Sequence, residues 1–184
     1  CYRRQRQMCI RDRPGTEPGL EATDYFGPKY GAVANGAHAM ILEVDPETMM
    51  IEIKRYVTVE DCGTVLNPLI VDGQIHGGVA LGIANSYYEQ LIYNENGQLL
   101  NASFDDYLIP TATEIPRVEI GHENTPTPLN PIGNKGVGEG GALPVPSACA
   151  QASEDALSDY GLEVLEMPLS PNRLFELLYQ KEQE

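Results

Sequence analysis

From Leu69 to Tyr93, after Asn67-Pro68, apolar residues continue too long for one strand and recur around a helix instead. A mostly buried helix is predicted. It carries four glycines, Gly73, Gly77, Gly78 and Gly82, and each costs roughly 1 kcal/mol of helix propensity relative to alanine. Something must approach such a helix closely to offset that loss, either a neighbouring helix or a ligand.

The flanking segments supply elements to fold around it. Residues 31–60 predict a β-hairpin, with Asp45-Pro46-Glu47-Thr48 as the turn and Ile51, Ile53, Tyr56, Val57 and Val59 approximating a strand's alternation. Asn94-Glu95-Asn96-Gly97 is a turn signal for a second hairpin. Arg117 to Gly121 reads as a short strand, and Val145 to Tyr160 as a helix ended by Gly161. Ser170 as N-cap and Pro171 at the first helical position open a last helix. The expected class is α+β, mixed hairpins packed with two or three helices.

Between these elements, Thr125 to Gly141 has no hydrophobic periodicity and is rich in Pro, Asn and Gly, so it must be loop. Five glycines fall between Gly133 and Gly141, with Glu139 among them. Such a ribbon bares backbone N–H groups to a ligand, although Gly and Pro also cluster in plain surface turns. Gly136 to Gly141 satisfies G-x-G-x-x-G, but the dinucleotide fingerprint needs a strand before it and a helix directly after. Here Pro and Asn precede, and Pro144 and Pro146 follow. A phosphate-binding P-loop fails as well, because Lys135 follows no G-x-x-x-x-G and precedes no Ser or Thr.

A formal charge of -15 with only 12 Lys and Arg excludes a phosphate-tracking surface, and therefore nucleic acid as a partner. No apolar run approaches the roughly 20 residues of a membrane span. Cys1, Cys9, Cys62 and Cys149 are too scattered for metal-ligand spacing and too few for a disulfide scaffold, so they read as free thiols in a reducing, cytoplasmic setting. Residues 1–13, CYRRQRQMCIRDR, hold five of the basic residues and differ in composition from the rest. They read as translated sequencing-adapter sequence, with a basic arm as the alternative. On the first reading residues 14–184 are the natural sequence, cut upstream.

The loop Pro131 to Gly141 resembles the K-G-V-G-E element of molybdenum hydroxylases. Asp61-Cys62-Gly63-Thr64-Val65-Leu66-Asn67-Pro68 and Gly73-Gln74-Ile75-His76-Gly77-Gly78 resemble the D-C-G-x-x-x-N-P and G-Q-x-x-G-G elements of the same large subunits. Phe104 to Pro110 and Met167 to Pro171 match in order. The resemblance spans about Tyr25 to Leu178. It is to the C-terminal part of the molybdopterin-binding domain in the xanthine oxidase and aldehyde oxidase family, nearest to carbon monoxide dehydrogenase-like subunits.

That resemblance implies a base, Glu139, taking a proton from a molybdenum-bound hydroxyl whose oxygen attacks an electron-poor carbon while hydride passes to a sulfido ligand. Glutamate suits the role, since a dry pocket raises its reference pKa of about 4.3 toward a useful range. Gln74 is expected to hydrogen-bond the pterin or an oxo ligand, and the backbone of Lys135, Gly136, Val137 and Gly138 to line the cofactor. No protein residue is expected to ligate the metal. The implied cofactor is molybdenum-molybdopterin in its cytosine dinucleotide form, with iron-sulfur and FAD groups on partner subunits. The remainder of the large subunit and a small substrate, an aldehyde, an N-heterocycle or carbon monoxide, complete the expected partners. The competing reading is a non-catalytic binding or assembly module of the same fold. Residue by residue the plainer readings are also open: Gln74 satisfying buried backbone, Asn67 capping or turning before Pro68, the three histidines as structural, and Asp105 and Asp106 as solvated or turn residues.

Overall fold

A computed structural model describes residues 25–27 and 30–181. The chain divides into two compact units, Cys1–Tyr30 and Gly31–Glu184, and every element described belongs to the second. The reading of residues 1–13 as non-native falls outside the described residues.

Strands β1 (Asn35–Val44) and β2 (Ile51–Asp61) form the expected antiparallel hairpin. Its turn is closed by Asp45, whose carboxylate accepts from the Glu47 N–H at 2.9 Å and the Thr48 hydroxyl at 2.9 Å. Ile41 pairs with Arg55 but Leu42 pairs with Ile53, so Lys54 is an extra residue in β2. This bulge reverses the alternation. Before it Ile51 and Ile53 face the core; after it Tyr56, Thr58 and Glu60 do. Val57 and Val59, which a bulge-free alternation would place inward, turn to the other face.

Helix α1 (Pro68–Tyr87) starts where Pro68 sets the first turn and the Asn67 side chain accepts from the Ile70 N–H at 3.3 Å. Val71, Ile75, Val79 and Ile83, at every fourth position, form its buried face. The opposite face is open: Leu69 is 82% exposed and Leu81 52%. The helix predicted as mostly buried is thus buried on one face, because no described residue covers the other side. The helix also stops at Tyr87 rather than continuing toward Tyr93.

The Asn94–Gly97 turn forms, with the Asn94 side chain accepting from the Asn96 and Gln98 N–H groups, but pairing is limited to one bridge between Tyr93 and Leu99. Its flanking Leu91, Ile92 and Leu100 are exposed, and a hairpin without a face to bury gains little. Strand β3 (Val118–Glu123) pairs parallel to β2, giving the order β1-β2-β3, with α1 inside the β2-to-β3 crossover. The sheet is therefore mixed.

Helix α2 (Val145–Ala156) packs on β1 and on α1, and tightens into a 3₁₀ turn (Ser158–Tyr160) closed by Gly161 at φ 67°. Tyr87 of α1 donates to the Cys149 carbonyl at 3.2 Å, tying the two helices inside the core. Helix α3 (Pro171–Lys181) starts as predicted, with the Ser170 hydroxyl accepting from the Arg173 N–H. Three strands layered with three helices meet the α+β expectation.

Candidate functional site

The loop after β3 is irregular, yet its first half is firmly held. Asp61, at the end of β2, accepts from the Gly63 N–H at 2.9 Å, the Thr125 N–H at 3.1 Å and the Lys135 ammonium at 3.0 Å. Those donors, the Gly63 N–H foremost, hold its carboxyl well below the usual carboxylate range. The Lys135 N–H donates to the Cys62 carbonyl at 2.7 Å, and Gly63 bridges Asn134. Gly133, at φ 81°, turns its carbonyl to accept from both Thr64 and Thr127 N–H groups. The D-C-G-T segment thus serves as the loop's mooring.

The far end of the loop is fixed by contact instead. A Cβ on Gly141 would lie 2.5 Å from the Ile75 carbonyl oxygen, and one on Gly78 would lie 2.8 Å from the Gly141 carbonyl carbon. Backbone therefore rests on backbone where the ribbon crosses α1, one residue from Gln74. Beyond the crossing, the Ala142 and Leu143 N–H groups donate to the Glu139 carbonyl and lead the chain toward α2.

Between these two ends the ribbon is open. A Cβ added at Gly136 or Gly138 would meet nothing within 4 Å. Gly136, Val137, Gly138, Glu139 and Gly140 line one wall of a cleft of about 550 Å³. Residues 32–36, Glu60, and Leu143 and Pro144 just before α2 complete it. Apolar surface from Val33, Val137, Leu143 and Pro144 surrounds two carboxylates, Glu60 and Glu139. The Glu139 side chain is exposed and has no side-chain hydrogen bond or ion pair among the described residues, so its oxygens are free to take a proton.

Four of the six predicted site residues, Gly136, Val137, Gly138 and Glu139, therefore share the cleft. Two lie apart from its lining. Gln74 is exposed on α1, and the Lys135 side chain, 7% exposed, is spent on Asp61. Asn67 caps, and His122 and His76 bind Asp72 through its carboxylate and its carbonyl, which are the structural roles read for them.

Glu60 was not singled out from the sequence, although it lines the cleft with a side chain 4% exposed. Its Oε1 accepts from His38 Nε2 at 2.7 Å and from the Thr58 hydroxyl at 3.2 Å. His38 Nδ1 lies 2.7 Å from the Tyr56 hydroxyl, which burial keeps protonated by pushing its pKa far up. The missing signal was the bulge: unbroken alternation from Ile51 puts Glu60 on the outer face, and only the extra residue at Lys54 turns it inward.

Among the described residues no group of three or more His, Cys, Asp or Glu can hold a metal ion. What the cleft presents to a cofactor is bare backbone, apolar surface and carboxylate. No helix among the described residues is long and apolar enough to cross a membrane.

Comparison with known proteins identifies the family of the chain. The family model of the molybdopterin cofactor-binding domain matches residues 3–116. The large subunit of nicotine 6-hydroxylase from Paenarthrobacter nicotinovorans is 42% identical over 160 residues, covering 87% of this chain and 20% of that subunit. The carbon monoxide dehydrogenase large chain of Afipia carboxidovorans is 37% identical over 164 residues, covering 89% and 20%. The crystal structure of quinoline 2-oxidoreductase from Pseudomonas putida 86 superposes with a TM-score of 0.85 at 40% identity, covering 91% of this chain and 21% of that one. The chain spans about one fifth of the length of these relatives.

Proposed function

The chain belongs to the molybdopterin cofactor-binding domain family of molybdenum hydroxylase large subunits, and on that premise we propose that its cleft is one wall of a cofactor site in which Glu139 is the base. One observation carries the reading. Glu139 stands on the concave surface, in the open middle of a ribbon whose two ends are fixed. A carboxylate with no competing partner, on backbone that cannot drift far, is placed to accept a proton with little reorganisation.

The residues around it fit a flat, ligand-carrying group. The open positions at Gly136 and Gly138 leave room that a side chain would fill, and Val137 adds apolar contact. Lys135 contributes by mooring the ribbon through Asp61, while Gln74, exposed on α1, would hydrogen-bond the pterin or an oxo ligand. A bound molybdenum-pterin group, in the cytosine dinucleotide form, would supply the electron acceptor and the water-derived oxygen. Substrates of this reading are an aldehyde, an N-heterocycle or carbon monoxide. Partner subunits carry the iron-sulfur and FAD groups, and the assembly works in the reducing cytoplasm, where the buried thiols of Cys62 and Cys149 stay unpaired.

The test is Glu139→Gln in the full-length subunit within its complex. The variant is expected to retain molybdenum and to lose turnover by about two to four orders of magnitude. Near-normal turnover with full metal content rejects the base assignment and leaves the second reading, a cofactor-binding wall without chemistry of its own.

A further inference from the structure

We infer that Glu60 Oε2 is a hydrogen-bond acceptor for an N–H group of the molecule that occupies the cleft, with a cationic or N–H-bearing nitrogen compound as the favoured ligand class. This deepens the cofactor-site reading above and rests on it. The two oxygens of this carboxylate differ. Oε1 is committed to His38 and Thr58, whereas Oε2 has no hydrogen-bond partner among the described residues. No sealed side-chain oxygen or nitrogen there lacks a partner, so Oε2 is in contact with the cleft rather than shut away.

Its approach is kept clear by two glycines. A Cβ on Gly36 would stand 2.5 Å from Oε2, and one on Gly140 would stand 2.9 Å from it. Any side chain at either position would cover the oxygen. Behind it, the Tyr56–His38–Glu60 chain fixes the carboxylate's orientation: His38 directs its Nε2 hydrogen at Oε1, and the His38 side chain is 1% exposed. A fixed acceptor set among apolar residues binds a charged donor more strongly than it could in water, and it rejects a ligand that presents an acceptor there. Carbon monoxide has no donor to offer it; a protonated amine or a ring N–H does.

The donor can belong to the substrate or to the N–H groups of a pterin, and the experiment separates these sources. Glu60→Gln is made in the full-length subunit and purified in its complex. The probes are benzamidine, an amidinium donor, and acetophenone, its neutral counterpart of similar shape, titrated calorimetrically. Molybdenum and pterin contents are measured on the same preparations. A substrate-side donor predicts that the wild type prefers benzamidine and that the variant loses at least about tenfold of that preference at unchanged cofactor content. A cofactor-side donor predicts that the variant loses molybdenum and pterin instead. Equal benzamidine affinity together with equal cofactor content overturns the inference. Should Glu60→Gln fail to fold, Glu60→Asp, which withdraws the charge by one methylene, is read by the same criteria. Failure of the base assignment is distinguishable, since Glu139→Gln then keeps turnover while Glu60→Gln still alters binding.

Discussion

Gly78 and Gly77 are neighbours on α1, yet they live in opposite surroundings. Gly78 touches the backbone of Gly141 so closely that a single added carbon would stand 2.8 Å from it, while an added carbon on Gly77 meets nothing within 4 Å. Gly73, one turn earlier, is open in the same way. The sequence demanded an approaching neighbour for this helix as a whole, and the fold supplies one on a single side. Glycine on the closed side is explained by contact within the chain. On the open side its cost stands unrepaid by any described residue, and Leu69 and Leu81 are exposed on the same face.

The largest effect is expected on the closed side. Gly78→Ala forces either α1 or the ribbon to move, because the obstacle is backbone and cannot rotate away. Overpacking of this kind costs about 1–3 kcal/mol, read as a lower denaturant midpoint at unchanged slope. A midpoint equal to the wild type's would mean that the ribbon does not rest on the helix, and the contrast between the two faces would collapse.

A smaller effect is expected at the mooring of the same ribbon. Asp61→Asn removes the partner of a Lys135 side chain that is 7% exposed and weakens the acceptor for two backbone N–H groups. Amide exchange at Gly63 and Thr125 should quicken by about tenfold or more, while amides near Gly73 and Gly77 should not change. The carboxyl's pKa is lowered in the folded chain, so its contribution is complete above the unfolded value near 3.9 and is lost as pH falls toward the folded value. The stability gap between wild type and Asp61→Asn should therefore be flat above about pH 5 and shrink below about pH 4. A gap that widens with acid contradicts the assignment.

Features carried by local chemistry were legible: the Asp45 turn, the Asn67-Pro68 start of α1, the Ser170-Pro171 start of α3 and the glycine ribbon around Glu139. Each is specified within a few residues. What the sequence did not disclose depends on long-range pairing. The parallel placement of β3 beside β2 has no local signature. The bulge at Lys54 has none either, and missing one residue inverted the inward set, hiding Glu60 and its tie to His38. The backbone of Lys135 was read as cofactor lining from its place in the motif; that its side chain answers an acid 74 positions earlier in the chain has no local signature.

The smallest expected effect decides most about the open face. Alanine at Gly73 or Gly77 reduces the freedom of the unfolded chain and raises helix propensity, with no atom within 4 Å to resist it. Each substitution should stabilise this chain by about 0.4–1 kcal/mol. In the full-length subunit the same methyl groups meet whatever covers the exposed strip, and the gain should vanish or turn into a loss. Unfolding midpoints of the paired variants in both contexts measure this directly. A gain of equal size in both would show that solvent is the only neighbour of that strip, and that the glycines there serve no close approach. Opposite signs would place the missing contact on α1 itself, within one turn of Gln74, and would make the helix a joint between this chain and what packs on it.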